Sequence, residues 1–189
     1  MARSKTQRAS HRENVLSCIN SIPSSSLHVN AVAAAKIKTV HELRPLLRKA
    51  RSRGLRIVFT NGCFDVLHRG HLTLLRRARE LGDVLIVAVD DDASVRRLKG
   101  DARPVHTLTD RVEMLAALEM VDYVTCFANA ELCGIIHDLA PDVLVKGGDW
   151  RREDIVGREV VEANGGEVVI VPRLPRYSST ELIERIREQ

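Results

Sequence analysis

The residues best suited to take part in a reaction are two histidines three positions apart, His68 and His71, with Gly70 between them. They lie in the sequence NGCFDVLHRGH at residues 61–71. A neutral imidazole donates one hydrogen bond, and the first turn of a helix attracts anions through its free N–H groups. A loop with these donors and a single acid, Asp65, is suited to phosphate. A metal site is less favoured, because no third ligand follows at a usual spacing.

The flanking sequence places this loop between a strand and a helix. Residues 55–59 are an apolar run that predicts a buried strand, and residues 72–81 carry apolar side chains at helical spacing. The loop therefore precedes a helix N-terminus, where unpaired backbone donors and the positive end of the helix dipole meet. Asp65 could instead cap that helix.

Further apolar runs predict a parallel sheet. Residues 84–89, 122–127, 143–145 and 167–171 alternate with helical patterns. The fold class that follows is α/β, with a Rossmann-like, doubly wound five-stranded parallel sheet and flanking helices. Right-handed crossovers then bring all strand carboxyl ends to one edge, where ligands bind.

Two segments after the second predicted strand carry ligand candidates. Asp91 lies at the end of that strand, where capping of the next helix is an equal alternative. Lys99 and Arg103 flank Gly100 in RLKGDARPV and suit a triphosphate, although a solvated loop would have the same composition. Arg111, in the following predicted helix, is expected to point to solvent.

Two later segments reach the same edge. After the fourth strand comes KGGDW, in which an aspartate can accept hydrogen bonds from a sugar hydroxyl or a base amine; a tight turn is the alternative. After the fifth comes RLPRYSST, where Ser178 and Glu181 fit a helix capping box and the same N-terminus could hold phosphate oxygens. The candidates are Lys146, Gly147, Asp149 and Trp150, then Arg173, Arg176, Ser178, Ser179 and Thr180.

These motifs resemble those of a known enzyme family. GCFDVLHRGH is similar to GxFDxxHxGH, the signature of the cytidylyltransferase-like nucleotidyltransferases, and RLPRYSST resembles the family's second signature, R-x-x-x-x-[ST]-[ST]-[ST]. The resemblance implies that His68, His71 and Lys99 are catalytic and that the serine-rich segment binds phosphates. Whether Arg173 or Arg176 takes part stays open. The resemblance adds these nucleotide-binding residues: Asn61, Gly62, Cys63, Phe64 and Gly70.

Five segments narrow the resemblance to one branch of the family. TNGCFDVLHRGH, RLKGDARPV, VLVKGGDW, IVGREVVEANGG and YSSTELIERI are similar to the branch that transfers AMP from ATP to D-glycero-β-D-manno-heptose 1-phosphate. This implies ATP and a sugar phosphate as substrates, Mg²⁺ held mainly by substrate phosphates, a cytoplasmic enzyme and a homodimer. The alternatives are glycerol-3-phosphate cytidylyltransferase or another sugar- or polyol-phosphate nucleotidyltransferase and, in a different class, a non-catalytic nucleotide-binding regulatory domain.

The composition of the chain argues against several other classes of function. The formal net charge is +4 over 189 residues, and residues 1–36 hold all of it, with five basic residues against one glutamate. Their serines and lack of periodicity predict a disordered basic tail before a nucleotidyltransferase domain at residues 37–189. A neutral domain with few aromatic residues argues against nucleic-acid binding. The apolar runs are too short to cross a membrane. Four cysteines without a C-x-x-C pattern predict reduced thiols.

Overall fold

The computed structural model shows a five-stranded parallel sheet with helices on both faces, which confirms the predicted fold class. It describes Ile19, residues 29–148 and residues 150–189. The strands are β1 (Ile57–Gly62), β2 (Val84–Asp90), β3 (Tyr123–Phe127), β4 (Val143–Gly147) and β5 (Glu167–Val171). The α-helices of the described residues are α1 (Ala31–Lys36), α2 (Val40–Ser52), α3 (Arg69–Arg79), α4 (Asp92–Lys99), α5 (Leu108–Ala116), α6 (Leu132–Leu139), α7 (Arg158–Ala163) and α8 (Ser179–Arg187).

The strand order is β3-β2-β1-β4-β5. The chain proceeds from β1 outward to β2 and β3, then returns to place β4 on the other side of β1. The sheet therefore reverses its winding between β1 and β4. In open α/β sheets, ligands bind beyond the strand carboxyl ends at such a switch point.

Alternation along the strands divides the core into two layers. Val58 and Val87 point to a face covered by α1, α3 and α5, which we call the α3 face. Phe59 and Ile86 point to a face covered by α2, α6 and α7, which we call the α6 face. Because successive side chains in a strand alternate, the residue number fixes the face of every polar side chain at the strand ends.

Local capping fixes where several helices begin. Thr39 and Glu42 form a capping box at the start of α2, with reciprocal side-chain bonds to the backbone. Asp91 caps α4 by accepting a hydrogen bond from the Ser94 N–H. Ser178 caps α8 by accepting from the Glu181 N–H. The sequence also predicts the return bond of this capping box, from the Ser178 N–H to the Glu181 carboxylate. That bond is not among the described hydrogen bonds, because the carboxylate pairs with Arg173 instead.

The amino-terminal boundary differs from the expected one. Ala31–Lys36, assigned above to the tail, form helix α1, which Asn30 caps and in which Ala33 is buried. Lys36 donates to the Leu118 carbonyl, and Ile37 pairs with Val124 at the outer edge of β3. The folded part therefore begins before residue 37. Residues 1–28 of the predicted tail, apart from Ile19, lie outside the described residues.

Candidate active site

A cleft of about 670 Å³ opens at the carboxyl ends of β1, β2, β4 and β5. It lies at the switch point, where the topology predicts a ligand site. Most of the residues that the sequence singles out line this cleft. They are Asn61, Gly62, Cys63, Phe64, Asp65, His68, Gly70, His71, Lys99, Arg103, Lys146, Gly147, Trp150, Arg173, Ser178, Ser179 and Thr180.

Three predicted site residues stand apart from this set. Asp91 is not among the described lining residues. Its carboxylate caps α4, at 2.7 Å from the Ser94 nitrogen, which is the alternative role given above. Arg176 is also absent from the described lining and has a left-handed backbone, with φ of 67°. Asp149 lies outside the described residues.

The two histidines form a stacked pair at the start of α3. Their ring centroids are 3.9 Å apart with an interplanar angle of 21°, and the Phe64 ring lies 5.3 Å from that of His71. Burial, followed by the neighbouring His68, lowers the pKa of His71 to about 3. Burial and Arg173 lower the pKa of His68, against the opposing charge of Glu181. Both rings are therefore neutral near pH 7, and each can donate one hydrogen bond.

The α8 N-terminus is docked directly on this loop. The Ser179 hydroxyl donates to the Val66 carbonyl at 3.1 Å. A Cβ atom added to Gly70 would lie 2.9 Å from the His68 ring and 3.1 Å from the Tyr177 carbonyl oxygen. Only glycine therefore allows α3 and the segment before α8 to approach this closely. The result is two helix N-termini, those of α3 and α8, facing one cleft.

Asp65 holds the loop that follows Lys99. Its carboxylate is 1% exposed and accepts hydrogen bonds from the Val105 and His106 N–H groups at 2.8 and 2.9 Å, and it forms an ion pair with Arg103. Burial raises its pKa, but these donors outweigh burial and leave the pKa below its usual value. Asp65 therefore neither caps α3 nor has a carboxylate free for a sugar. It joins the histidine loop to the Lys99 loop.

Arg111 was expected to point to solvent, and this expectation is wrong. The side chain is 0% exposed. It donates to the Cys63 carbonyl at 2.6 Å, to Asp92 at 2.7 Å and to the His106 carbonyl at 3.2 Å. A sequence signal was present, since Arg111 lies four residues before the buried Leu115 and so shares its helix face.

Asp91 is the predicted site residue at the end of β2, but its neighbour Asp90 is the aspartate that lines the cleft. It is 5% exposed, and burial raises its pKa despite the nearby Lys146. Its neighbour Cys63 has a pKa raised to about 11 by burial and by Asp90, so the thiol stays protonated near neutral pH. A nucleophilic role for Cys63 has no support from this environment.

Apolar side chains complete the cleft, and sequence reasoning did not find them because their residue types are those of any core. They include Leu74, Leu98, Leu132, Ile155, Val156, Val171, Leu174 and Tyr177. Within the described ranges, no group of three or more His, Cys, Asp or Glu side chains is arranged to hold a metal ion. The helices that the structure describes include none with the length and apolar character needed to cross a bilayer.

Residues 59–185 match the cytidylyltransferase-like family. The chain belongs to this family. As a cytidylyltransferase-like protein, it is a nucleotidyltransferase, as its sequence motifs predict.

Relatives of this cytidylyltransferase-like chain share its sequence over most of its length. It is 46% identical over 153 residues to the "Bifunctional protein HldE" of Desulfatibacillum aliphaticivorans, covering 81% of this chain and 31% of the relative. It is 50% identical over 162 residues to the protein of the same name from Rhodopseudomonas palustris (strain BisB5), covering 85% and 33%. The chain thus spans about a third of the length of the curated relatives it matches.

Solved structures show the same fold. The lipopolysaccharide core biosynthesis protein from Thermoplasma volcanium GSS1 is similar with a TM-score of 0.54 and 26% identity, over 64% of this chain and 98% of that one. Pantoate-beta-alanine ligase from Francisella tularensis has a TM-score of 0.52 at 15% identity, over 81% and 79%. The second likeness concerns the fold alone.

Proposed function

We propose that the protein transfers AMP from ATP to D-glycero-β-D-manno-heptose 1-phosphate, giving ADP-heptose and pyrophosphate. The observation that carries the proposal is the meeting of the stacked histidine pair, the α8 N-terminus and Lys99 in one cleft. The choice of ATP and heptose phosphate rests on the resemblance of the five sequence segments to that branch of the family. The similarity to a lipopolysaccharide core biosynthesis protein agrees with it.

The leaving pyrophosphate is best placed at the α8 N-terminus. The Ser178 hydroxyl accepts the capping bond and keeps its own O–H proton, whereas the Ser179 hydroxyl donates to the Val66 carbonyl. The donors that remain for phosphate are therefore the N–H groups of Ser179 and Thr180 and the hydroxyls of Ser178 and Thr180. Arg173 lies in the cleft beside them, paired at 2.6 Å with Glu181, whereas Arg176 is outside the described lining. We therefore assign the functional arginine to Arg173.

Neutral His68 and His71 suit the α-phosphate. Each ring nitrogen that faces the cleft can donate to a phosphate oxygen as charge develops there, and preorganised donors of this kind are the main source of catalysis in phosphoryl and nucleotidyl transfer. The acceptor phosphate is already anionic near neutral pH, so its attack needs no general base. Lys99 is the cation that would approach the attacking phosphate.

The carboxylates of the cleft fit a Mg²⁺ ion that would be held mainly by the substrate phosphates. The described carboxylates that line the cleft are Asp65, Asp90 and Asp154. Asp65 is engaged by the backbone of Val105 and His106, and the charge of Asp90 interacts with that of Lys146. Mg²⁺ keeps several waters and binds through substrate phosphates in such sites, where it neutralises part of the triphosphate charge. The homodimer and the cytoplasmic location stay predictions.

The test is pyrophosphate release in the presence of Mg²⁺, with ATP and CTP crossed against heptose 1-phosphate and glycerol 3-phosphate. Release with ATP and heptose 1-phosphate alone is the expected result. Release with CTP and glycerol 3-phosphate would keep the mechanism and overturn the substrate assignment. No release in any combination, with ATP still bound, would contradict the proposed transfer reaction.

A further inference from the structure

Three adjacent strands end with polar side chains on the same face of the sheet. Asp90 follows Ala88 in β2, Asn61 follows Phe59 in β1, and Lys146 follows Leu144 in β4. Since Ala88, Phe59 and Leu144 all belong to the core of the α6 face, the three polar side chains also point to that face. The two histidines and Leu74 of α3 lie on the opposite, α3 face. The cleft thus has one half lined by the histidines and a second half lined by Asp90, Asn61 and Lys146.

Asp90 has unused acceptor capacity inside this second half. Its carboxylate lines the cleft and is 5% exposed. Among the described residues, its single hydrogen-bond partner is the Cys63 thiol, a weak donor at 3.7 Å. An ionised carboxylate offers about four acceptor positions, and leaving them empty in a buried place is costly. A ligand that brings a donor would remove that cost.

Lys146 has unused donor capacity beside it. Its ammonium group donates to the Asn61 side-chain oxygen at 3.0 Å and, weakly, to the Asn61 carbonyl at 3.5 Å. Its charge is coupled to that of Asp90, but no ion pair joins the two in the described structure. The Trp150 ring lies 5.5 Å from the ammonium nitrogen. A carboxylate and an ammonium that do not touch each other leave room for a group that both donates and accepts.

We propose that Asp90 and Lys146 bind one hydroxyl group of a polyhydroxylated substrate, with the hydroxyl donating to Asp90 and accepting from Lys146. A hydroxyl has the one donor and the two acceptor positions that this arrangement needs. The flanking Leu132 and Ile155 side chains suit the apolar face of a sugar ring. This inference rests on the proposed function for the identity of the sugar. The same chemistry is present in the ribose of ATP and in the acceptor pyranose.

The experiment measures binding by calorimetry, so that it does not need turnover. One set of ligands is ATP, 2′-deoxy-ATP and 3′-deoxy-ATP. The other is heptose 1-phosphate and its single-deoxy analogues, each titrated in the presence of α,β-methylene-ATP. The proteins are the unmodified chain, Asp90→Ala, Asp90→Asn, Lys146→Met and a matched control, Asp91→Asn. The control changes the neighbouring carboxylate, but an asparagine still caps α4.

The expected result is that removal of one particular hydroxyl weakens binding to the unmodified protein about 10- to 100-fold. The same removal should cost less than about threefold in Asp90→Ala and in Lys146→Met, because the partner is already gone. Asp90→Asn keeps an acceptor oxygen and should retain part of the discrimination, and Asp91→Asn should retain all of it. The ligand set that shows the effect tells ribose from acceptor.

Equal losses in the unmodified protein and in Asp90→Ala, for every deoxy ligand, would overturn the inference. So would an unmodified protein that binds all deoxy ligands as tightly as the parents, a result that stands even if Asp90→Ala fails to fold. A failure of the proposed function has a different signature. Pyrophosphate release with heptose 1-phosphate would be absent. The ATP titrations would still test, independently of turnover, whether Asp90 and Lys146 bind a ribose hydroxyl.

Discussion

At His68 and His71, burial and mutual proximity decide which protonation state meets the substrate. Two stacked rings 3.9 Å apart cannot both be charged without strong repulsion, and burial disfavours the charge on each. The cleft therefore presents two neutral donors. A neutral donor needs no proton from solvent during the reaction, and its stabilising effect depends on position rather than on pH near neutrality.

The first prediction concerns turnover. His68→Ala and His71→Ala should each lower kcat by roughly 10²-fold or more, the scale of losing one preorganised donor to a developing charge. Steady-state pyrophosphate release is the measurement. His137→Ala is the matched control, since that side chain is 75% exposed, and it should have unchanged kcat. Near-normal turnover in both cleft variants would rule out the role assigned to the pair.

The second prediction concerns stability against pH. The pKa of His71 is about 3 in the folded chain, below the usual value of 6.5. The unfolded chain therefore binds the extra proton first as pH falls below 6.5, so folding stability from this group is complete above pH 6.5 and is lost on acidification. We expect the free energy of unfolding, from urea titrations, to fall by roughly 1–2 kcal/mol more between pH 7 and pH 5 in the unmodified protein than in His71→Asn. Equal falls would contradict the low pKa.

Single residues also show where sequence reasoning succeeds and where it stops. The histidine pair and the serine-rich segment could be predicted because their spacing is local and their residue types are rare together. Asp90 and Asp91 could not be told apart by composition, since strand parity and the capping bond to Ser94 decide between them. Arg111 has two partners that are distant in sequence, Cys63 and Asp92. Periodicity places Arg111 on the buried face of its helix but does not reveal these partners.

At the scale of elements, two loops are tied together by one buried carboxylate. Asp65 belongs to the histidine loop, and it holds the backbone of Val105 and His106 in the loop that follows Lys99. Arg111 reinforces the same junction through the Cys63 carbonyl and Asp92. The position of Lys99 relative to the histidines therefore depends on contacts made outside the reacting groups.

The third prediction tests this junction. Asp65→Asn removes the ion pair with Arg103 and weakens both backbone bonds, so the amides of Val105 and His106 should exchange hydrogen about 10-fold faster or more, on the scale of one lost charged hydrogen bond. The kcat for pyrophosphate release should fall while β1 amides keep their protection. Asp101→Asn is the control, because Asp101 is exposed in the same loop and should leave exchange unchanged. Unchanged exchange in Asp65→Asn would refute the junction.

The elements themselves were largely predictable. All five strands follow from apolar runs, because strands of a parallel sheet are buried on both faces. Their ends extend into polar residues such as Asn61 and Lys146, which the apolar pattern excludes but the pairing includes. Helix α1 was missed since its six residues, AVAAAK, are too few for a periodic signal, and its helical state depends on packing and on the Asn30 cap.

At the scale of the whole molecule, α1 and Ile37 close the side of the sheet that β3 would otherwise expose. Ile37 pairs with Val124, and the Lys38 N–H donates to the Val124 carbonyl, so the open strand edge is partly covered. Lys36 adds a bond to the Leu118 carbonyl at 2.9 Å. The basic excess of residues 1–36 thus includes one residue, Lys36, that belongs to the folded domain rather than to the predicted tail.

The last prediction follows from this edge. A protein that starts at Val29 and one that starts at Lys38 differ by α1, its cap and Ile37, whose burial contributes on the order of 2–4 kcal/mol together. The shorter protein should therefore have the lower free energy of unfolding by about that amount in urea titrations. Its kcat should be less affected than its stability, because none of the deleted residues lines the cleft. Equal stability of the two proteins would show that residues 29–37, including α1, add nothing to the stability of the fold.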